Sequence, residues 1–258
     1  MKFSSWTLLT FFFGATLLFS SCEKDDDDDD TTPQARVGNV TLTLDHIWGM
    51  NMAPFELNQE LVHPKTGDTL TYTTFRYYIS NIQLETADGI IWAEEESYHL
   101  IDLAEQASLS IQLADIPDND YTTLHYTFGV DSARNVSGVQ EGALDPANGM
   151  FWDWNSGYIM IKAEGNSPNA ADGTFKLHLG GFSGTNNVVT ERTHMLSTEL
   201  DVEGNENNST VHLMVNPARF WHTADGLATV SKMHMPNPVA AQMATDFATG
   251  INVGMVHN

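Results

Sequence analysis

Cysteine is nearly absent: Cys22 is the only one in 258 residues. An exported domain without a second thiol cannot be closed by an internal disulfide, and the same count excludes C-x-x-C redox chemistry and a cysteine nucleophile in the body of the chain. Positive charge is scarce too. Eleven Lys and Arg stand against 34 Asp and Glu, for a formal net charge of −23. Attraction to nucleic acid is therefore disfavoured over the whole surface. The chain also lacks a G-x-S-x-G elbow, a phosphate-cradling P-loop and an H-E-x-x-H zinc motif, so it carries none of the common local signatures of hydrolase or nucleotide chemistry. Helical periodicity is rare, and no Pro/Gly/Ser linker or internal repeat divides the body.

What is present begins with an address. Residues 1–21 have a basic start at Lys2, an apolar run from Trp6 to Phe19, and small Ser20 and Ser21 before Cys22. This reads as a secretory signal peptide, the run being too short for a transmembrane span. The small-small-Cys ending resembles a bacterial lipobox, with Phe19 where Leu is usual. On that reading a peptidase cuts before Cys22, and acyl chains on Cys22 hold the protein to a membrane. Residues 22–35 then form a tether, because six consecutive Asp at 25–30 repel one another and bury nothing. A Lys and an acidic run just after the cysteine resemble the export signal of surface lipoproteins in the Bacteroidetes. The implied location is the outer membrane, exposed at the cell surface, with a periplasm-facing lipoprotein as the alternative.

From residue 36 to 258 the pattern is of strands. Residues 40–46, 70–85, 97–103, 108–113, 121–130, 158–165, 174–182, 193–202 and 209–216 alternate or are rich in Thr, Tyr, Phe and Ile, with turn signals between them. The segment 131–149 has no period of either kind. One short helix is expected at 237–251, with Asn237 as its cap, Pro238 in the first turn, and Val239, Met243 and Phe247 on one face. The expected fold is all-β, a single sandwich of about nine strands with one short C-terminal helix.

The chemistry-bearing residues are soft and borderline donors, ten His and eleven Met. His46 ends the first mature strand and is followed by Met50 and Met52; His178 lies in "FKLHLGG" beside glycines that admit a close approach. Near the end of the chain Met233, His234, Met235 and His257 make a second set. Imidazole with thioether suits copper better than calcium or magnesium. His63, His99, His125, His194, His212 and His222 read individually as ordinary hydrogen-bonded or exposed residues. Met160, Met214 and Met243 read as core fillers. The block "MFWDWNSGY" places Trp152 and Trp154 two apart, on one face if extended; it reads equally as an aromatic plug, a sugar-stacking platform or part of a metal site. Arg76 is a candidate for a buried ion pair with an acidic residue such as Asp153.

These residues carry a resemblance. "MFWDWNSGYIMIKAEG" (150–165), with "GVDSARN" (129–135) and "ALDPANG" (143–149) before it, "FKLHLGG" (175–181) after it and "FRYYISNIQL" (75–84) upstream, is similar to the copper-binding MbnP family of methanobactin operons, in a lipoprotein branch. The resemblance implies a β-sandwich that binds copper for storage, scavenging or delivery and is not an enzyme. It also implies a diheme MauG-like peroxidase as partner, which converts a tryptophan to kynurenine and so frees an arylamine nitrogen for the metal. Carried onto this chain, it points to His178 and His46 as ligands and to Met233, His234, Met235 and His257 as a rival set. Trp152 or Trp154 becomes the oxidised residue, with Tyr158 and Phe151 excluding water. The alternative is a surface glycan-binding or adhesion module built on the Trp152/Trp154 pair.

Overall fold

The protein is described by a computed structural model over residues 36–153, 157–204 and 208–258. The signal segment, Cys22, the acidic tether and Trp154 fall outside these residues. All nine expected strands are found among the fifteen strand segments of the described residues. The first eight are β1 (Val37–Trp48), β2 (Ala53–Pro54), β3 (Glu60–Val62), β4 (Thr69–Thr86), β5 (Ile91–Ala93), β6 (Tyr98–Asp102), β7 (Ser110–Pro117) and β8 (Asn119–Phe128). They are followed by β9 (Phe151–Asp153), β10 (Gly157–Asn166), β11 (Thr174–Gly180), β12 (Thr190–Val202), β13 (Asn208–Val215), β14 (Lys232–Met233) and β15 (Ile251–His257). Among the described residues two α-helices accompany them, α1 (Ser132–Asn135) and α2 (Pro238–Ala248).

The strands form two sheets. The smaller runs β15-β13-β1-β2 with β7 also on β1; the larger runs β12-β8-β4-β10-β11-β14. β1 is the centre of the smaller sheet, pairing in parallel with β13 and antiparallel with β7 and β2. β4 is the spine of the larger one, bonded along its length to β3, β5, β6, β8 and β10. Two irregularities in β4 reset its alternation. One faces the Glu164/Gly165 shift in β10, the other lies at Asn81, which has φ +52°. Because of them Tyr72, Phe75, Tyr77, Ile79, Ile82 and Leu84 are all buried, where strict alternation would have turned half of that strand outward. Gly165 is needed at the first: a Cβ there would strike the Thr71 carbonyl and the Phe175 ring.

The core lies between the sheets and is strongly aromatic. Phe75 makes edge-on contacts with Phe55, Tyr72, Tyr77, Phe220 and Phe247, at ring separations of 5.3 to 6.2 Å. Helix α2 brings Phe247 into this cluster, where it stacks on Phe220 at 5.0 Å. Its cap is the one expected, Asn237 accepting from the Ala240 amide. Its buried face is Ala240, Met243, Ala244 and Phe247, whereas Val239 is exposed. Residues 251–257, the first of them expected to end the helix, instead return as β15 on the edge of the smaller sheet.

The segment 131–149 covers part of the outer face of the larger sheet. It consists of α1 and two short 3₁₀ turns, Gly142–Leu144 and Pro146–Asn148. Side chains rising from that face tie it down through its carbonyls. Tyr78 donates to Ala143, Tyr158 to Leu144 at 2.6 Å, Arg76 to Asn148 and Lys162 to Gly149. Arg76 also forms its ion pair with Asp102 on β6, at 2.7 Å, a partner that the linear sequence does not single out. This cover delivers the chain into β9 and so sets where Trp152 lies.

Candidate metal centre

The site is assembled on the outer face of β10 and β11. In β11, Phe175, Leu177 and Leu179 are fully buried between the sheets, so His178 must project to the other side. On β10, Lys162 stands opposite His178 and Glu164 opposite Lys176. The diagonal brings Glu164 Oε1 to 2.6 Å from His178 Nε2. β14 runs parallel to β11 with Met233 level with Leu177. The next residue, His234, thus arrives beside His178, the two rings standing 5.1 Å apart and nearly perpendicular. Two residues beyond His178 is Gly180, where a Cβ would lie 2.8 Å from Cζ3 of Trp152. The missing side chain at 180 is what lets the indole of Trp152 rest on the strand next to His178.

Burial pulls the His178 pKa below its ordinary value; Glu164 opposes this, and Lys162 and His234 add to it. Burial alone would raise Glu164, but the hydrogen bond with His178 and the charges of Lys162, His178 and Lys176 outweigh it and hold the carboxyl below its usual range. An ionised Glu164 accepts, so His178 donates through Nε2–H and leaves the lone pair of Nδ1 free. A neutral imidazole fixed in one tautomer by a carboxylate is the form in which histidine binds a transition metal. Among the described residues no three His, Cys, Asp or Glu side chains form a ready-made cage. What is present is two adjacent imidazoles, one of them oriented.

The structure does not bring His46 to this place. His46 follows Leu44 and precedes Trp48 on the inward side of β1, and its ring packs against Phe55, Phe75 and Tyr77. The Tyr77 hydroxyl lies 3.1 Å from His46 Nε2. Phe75 and Tyr77 belong to the inner face of the larger sheet and His178 to its outer face, so that sheet stands between the two histidines. Glycines and aromatics nearby in sequence do not report which side of a sheet a residue takes. His46 instead lies on the wall of a cleft of about 470 Å³, with Leu44, Met52, Phe55, Leu57, Leu103 and Leu109.

The C-terminal set divides as well. Met233 is buried level with Leu177, and its sulfur is 2.7 Å from the Asn237 side-chain amide. Met235 is exposed. His257 sits on the smaller sheet, 5.2 Å from His212. Tyr158 is buried under the 142–149 cover, with edge-on contacts to Phe151 and Tyr78, and so supports the cover. Trp154 lies outside the described residues. Glu164 is a site residue that sequence reasoning misses, although its place two residues from Lys162 on an alternating strand is a signal that it shares the outward face.

His46 predicts a measurable pH dependence. Burial lowers its pKa from 6.5 to about 4, against the opposing Leu44 main chain and Asp45 charge. The unfolded chain therefore binds more protons than the folded one between these values. Stability is full above about pH 6.5 and is lost as the pH falls toward 4, by at most about 3 kcal/mol. In His46→Gln the urea midpoint should fall less steeply from pH 7 to 4.5 than in the parent; equal slopes would refute the assignment.

No curated protein matches the chain. Among solved structures, MbnP from Methylosinus trichosporium superposes with a TM-score of 0.51 at 15% identity, covering 79% of this chain and 83% of that one. At that identity the likeness is one of fold. The sequence profile of the MbnP family matches residues 37–236, which takes in β1 through β14, the 131–149 cover, the tryptophan block and both imidazoles of the outer face. The chain belongs to the MbnP family.

Proposed function

We propose that this protein is an exported, lipid-anchored copper-binding protein that stores, scavenges or delivers the metal and does not itself catalyse a reaction. The observation that carries the reading is the His178–His234 pair beside Glu164, on a face bordered by Trp152. Imidazole nitrogen suits copper in either common oxidation state. His178 would hold the ion through Nδ1 and His234 would supply a second nitrogen, while Glu164 keeps His178 in the productive tautomer. Trp152 walls one side. An intact indole is a poor ligand because its nitrogen lone pair belongs to the ring. Conversion of Trp152 or Trp154 to kynurenine by a diheme MauG-like peroxidase would free an arylamine as a further donor. Cys22 is the proposed point of lipid attachment at the outer membrane, and the acidic residues 25–30 the spacer that holds the domain away from it. Trp152 is half-buried with its ring edge on Gly180, so the glycan-binding alternative gains no support from its exposure.

The test is a copper titration of the mature chain made with and without a co-expressed diheme peroxidase, with intact mass read for a modified tryptophan. One equivalent of copper should bind in at least one preparation, tighter where a tryptophan has been converted. Absence of binding in both would discard the copper role.

A further inference from the structure

We propose that His212 and His257, with Asp45 behind His212, form a second metal site, for a borderline divalent ion such as zinc, on the outer face of the smaller sheet. This goes beyond the copper reading and does not depend on it. Val211 and Leu213 are buried in the core, so His212 between them projects outward. β13 and β15 are antiparallel with Thr210 level with His257, which sets His212 diagonally across from His257 on the same face. Their rings lie 5.2 Å apart and nearly perpendicular.

On the other side of β13, parallel β1 has Thr43 level with His212. The diagonal then brings Asp45 Oδ2 to 2.6 Å from His212 Nδ1. A carboxylate on Nδ1–H fixes the tautomer and leaves Nε2 with its lone pair, the arrangement that supports a histidine ligand from behind. The end of β15 is also held in place. Asn258 accepts from the Asp201 amide and donates to the Glu199 carbonyl on β12, so His257 is presented from a strand tied down at the residue that follows it. Among the described residues no third carboxylate or imidazole converges on the pair. The ion would take two protein nitrogens, with water completing its shell. Both imidazoles are reachable from solvent, His212 with 22% of its side chain exposed and His257 more fully.

Zinc titration of the mature chain by calorimetry tests this, with circular dichroism on each variant to confirm the fold. His257→Asn, at the exposed strand end, should lower zinc affinity at this site by at least tenfold, and His212→Asn likewise. Asp45→Asn should weaken it by about 10- to 100-fold, while His178→Asn should leave it unchanged. The proposal is overturned if His212→Asn and His257→Asn bind zinc as the parent does, or if His178→Asn alone removes all zinc binding.

Discussion

His178→Asn is expected to weaken copper binding by on the order of 100-fold or more, without a comparable loss of stability. The imidazole is one of two that stand side by side on the outer face, and the Asn side chain fills similar space while offering no comparable nitrogen donor. Glu164→Gln is expected to cost about 10- to 100-fold, since it removes the charge that fixes the tautomer but leaves the ligand in place. The pH profile separates the two roles. Metal binding requires the imidazole to be deprotonated. Because burial holds the His178 pKa below its ordinary value, affinity in the parent should persist into mildly acidic solution before it is lost. In Glu164→Gln the charge that favours the protonated imidazole is gone, which moves the falling limb to still lower pH even as the affinity at neutral pH drops. Competition against a copper chelator at several pH values reads both effects. A His178→Asn protein that competes as well as the parent would eliminate the outer-face site, and His46→Gln run beside it would show whether the inner histidine matters instead.

Phe75→Ala should destabilise the fold more than any substitution at the two proposed metal sites, by about 3 to 5 kcal/mol. Phe75 is fully buried and joins three parts of the core that no disulfide can hold together: Phe55 after β1, Tyr72 and Tyr77 on its own strand, and Phe220 with Phe247 from the C-terminal region. Truncation removes its transfer free energy and leaves a cavity whose aromatic walls, already packed edge to face, cannot collapse to fill it. Phe75→Leu keeps most of the volume and should cost roughly 1 to 2 kcal/mol. Urea unfolding followed by tryptophan fluorescence would measure both through the shift in midpoint at constant slope. An alanine variant within about 1 kcal/mol of the parent would mean that the cluster relaxes around the gap, contrary to the close packing described.

Much of the architecture is legible in the chain because period and punctuation act locally. The nine alternating segments are strands, and Asn237-Pro238 starts the helix where capping chemistry places it. Residues 251–257 are less legible: Asn252 and Gly254 are poor strand formers, and the edge of β13 holds the segment as a strand. The site is less fully written in the sequence. His178 and His234 each stand out, but their meeting depends on a two-residue parallel pairing that no local pattern announces. His46 resembles His178 in lying near glycines and aromatics, yet its inward direction follows from its place between Leu44 and Trp48. His63 is structural, as its sequence context suggests, with Nε2 between the carbonyls of Ala218 and Phe220 at 3.0 and 2.8 Å. Those partners are remote, but the turn that carries its Thr66 contact is adjacent.

The parallel pairing of β1 with β13, Asn39 level with Asn208, has a bearing on how the chain acquires its shape. A strand made among the first must wait, with one side unmatched, for one made near the last, and closing so long a loop comes before any contact across it gives a return. Assembly of this molecule is therefore set by two segments far apart in the chain. Its refolding belongs with the slow, non-local β topologies, on the scale of about milliseconds to seconds or longer, and during that interval the lone strand is the part of the polypeptide most in need of protection from its neighbours.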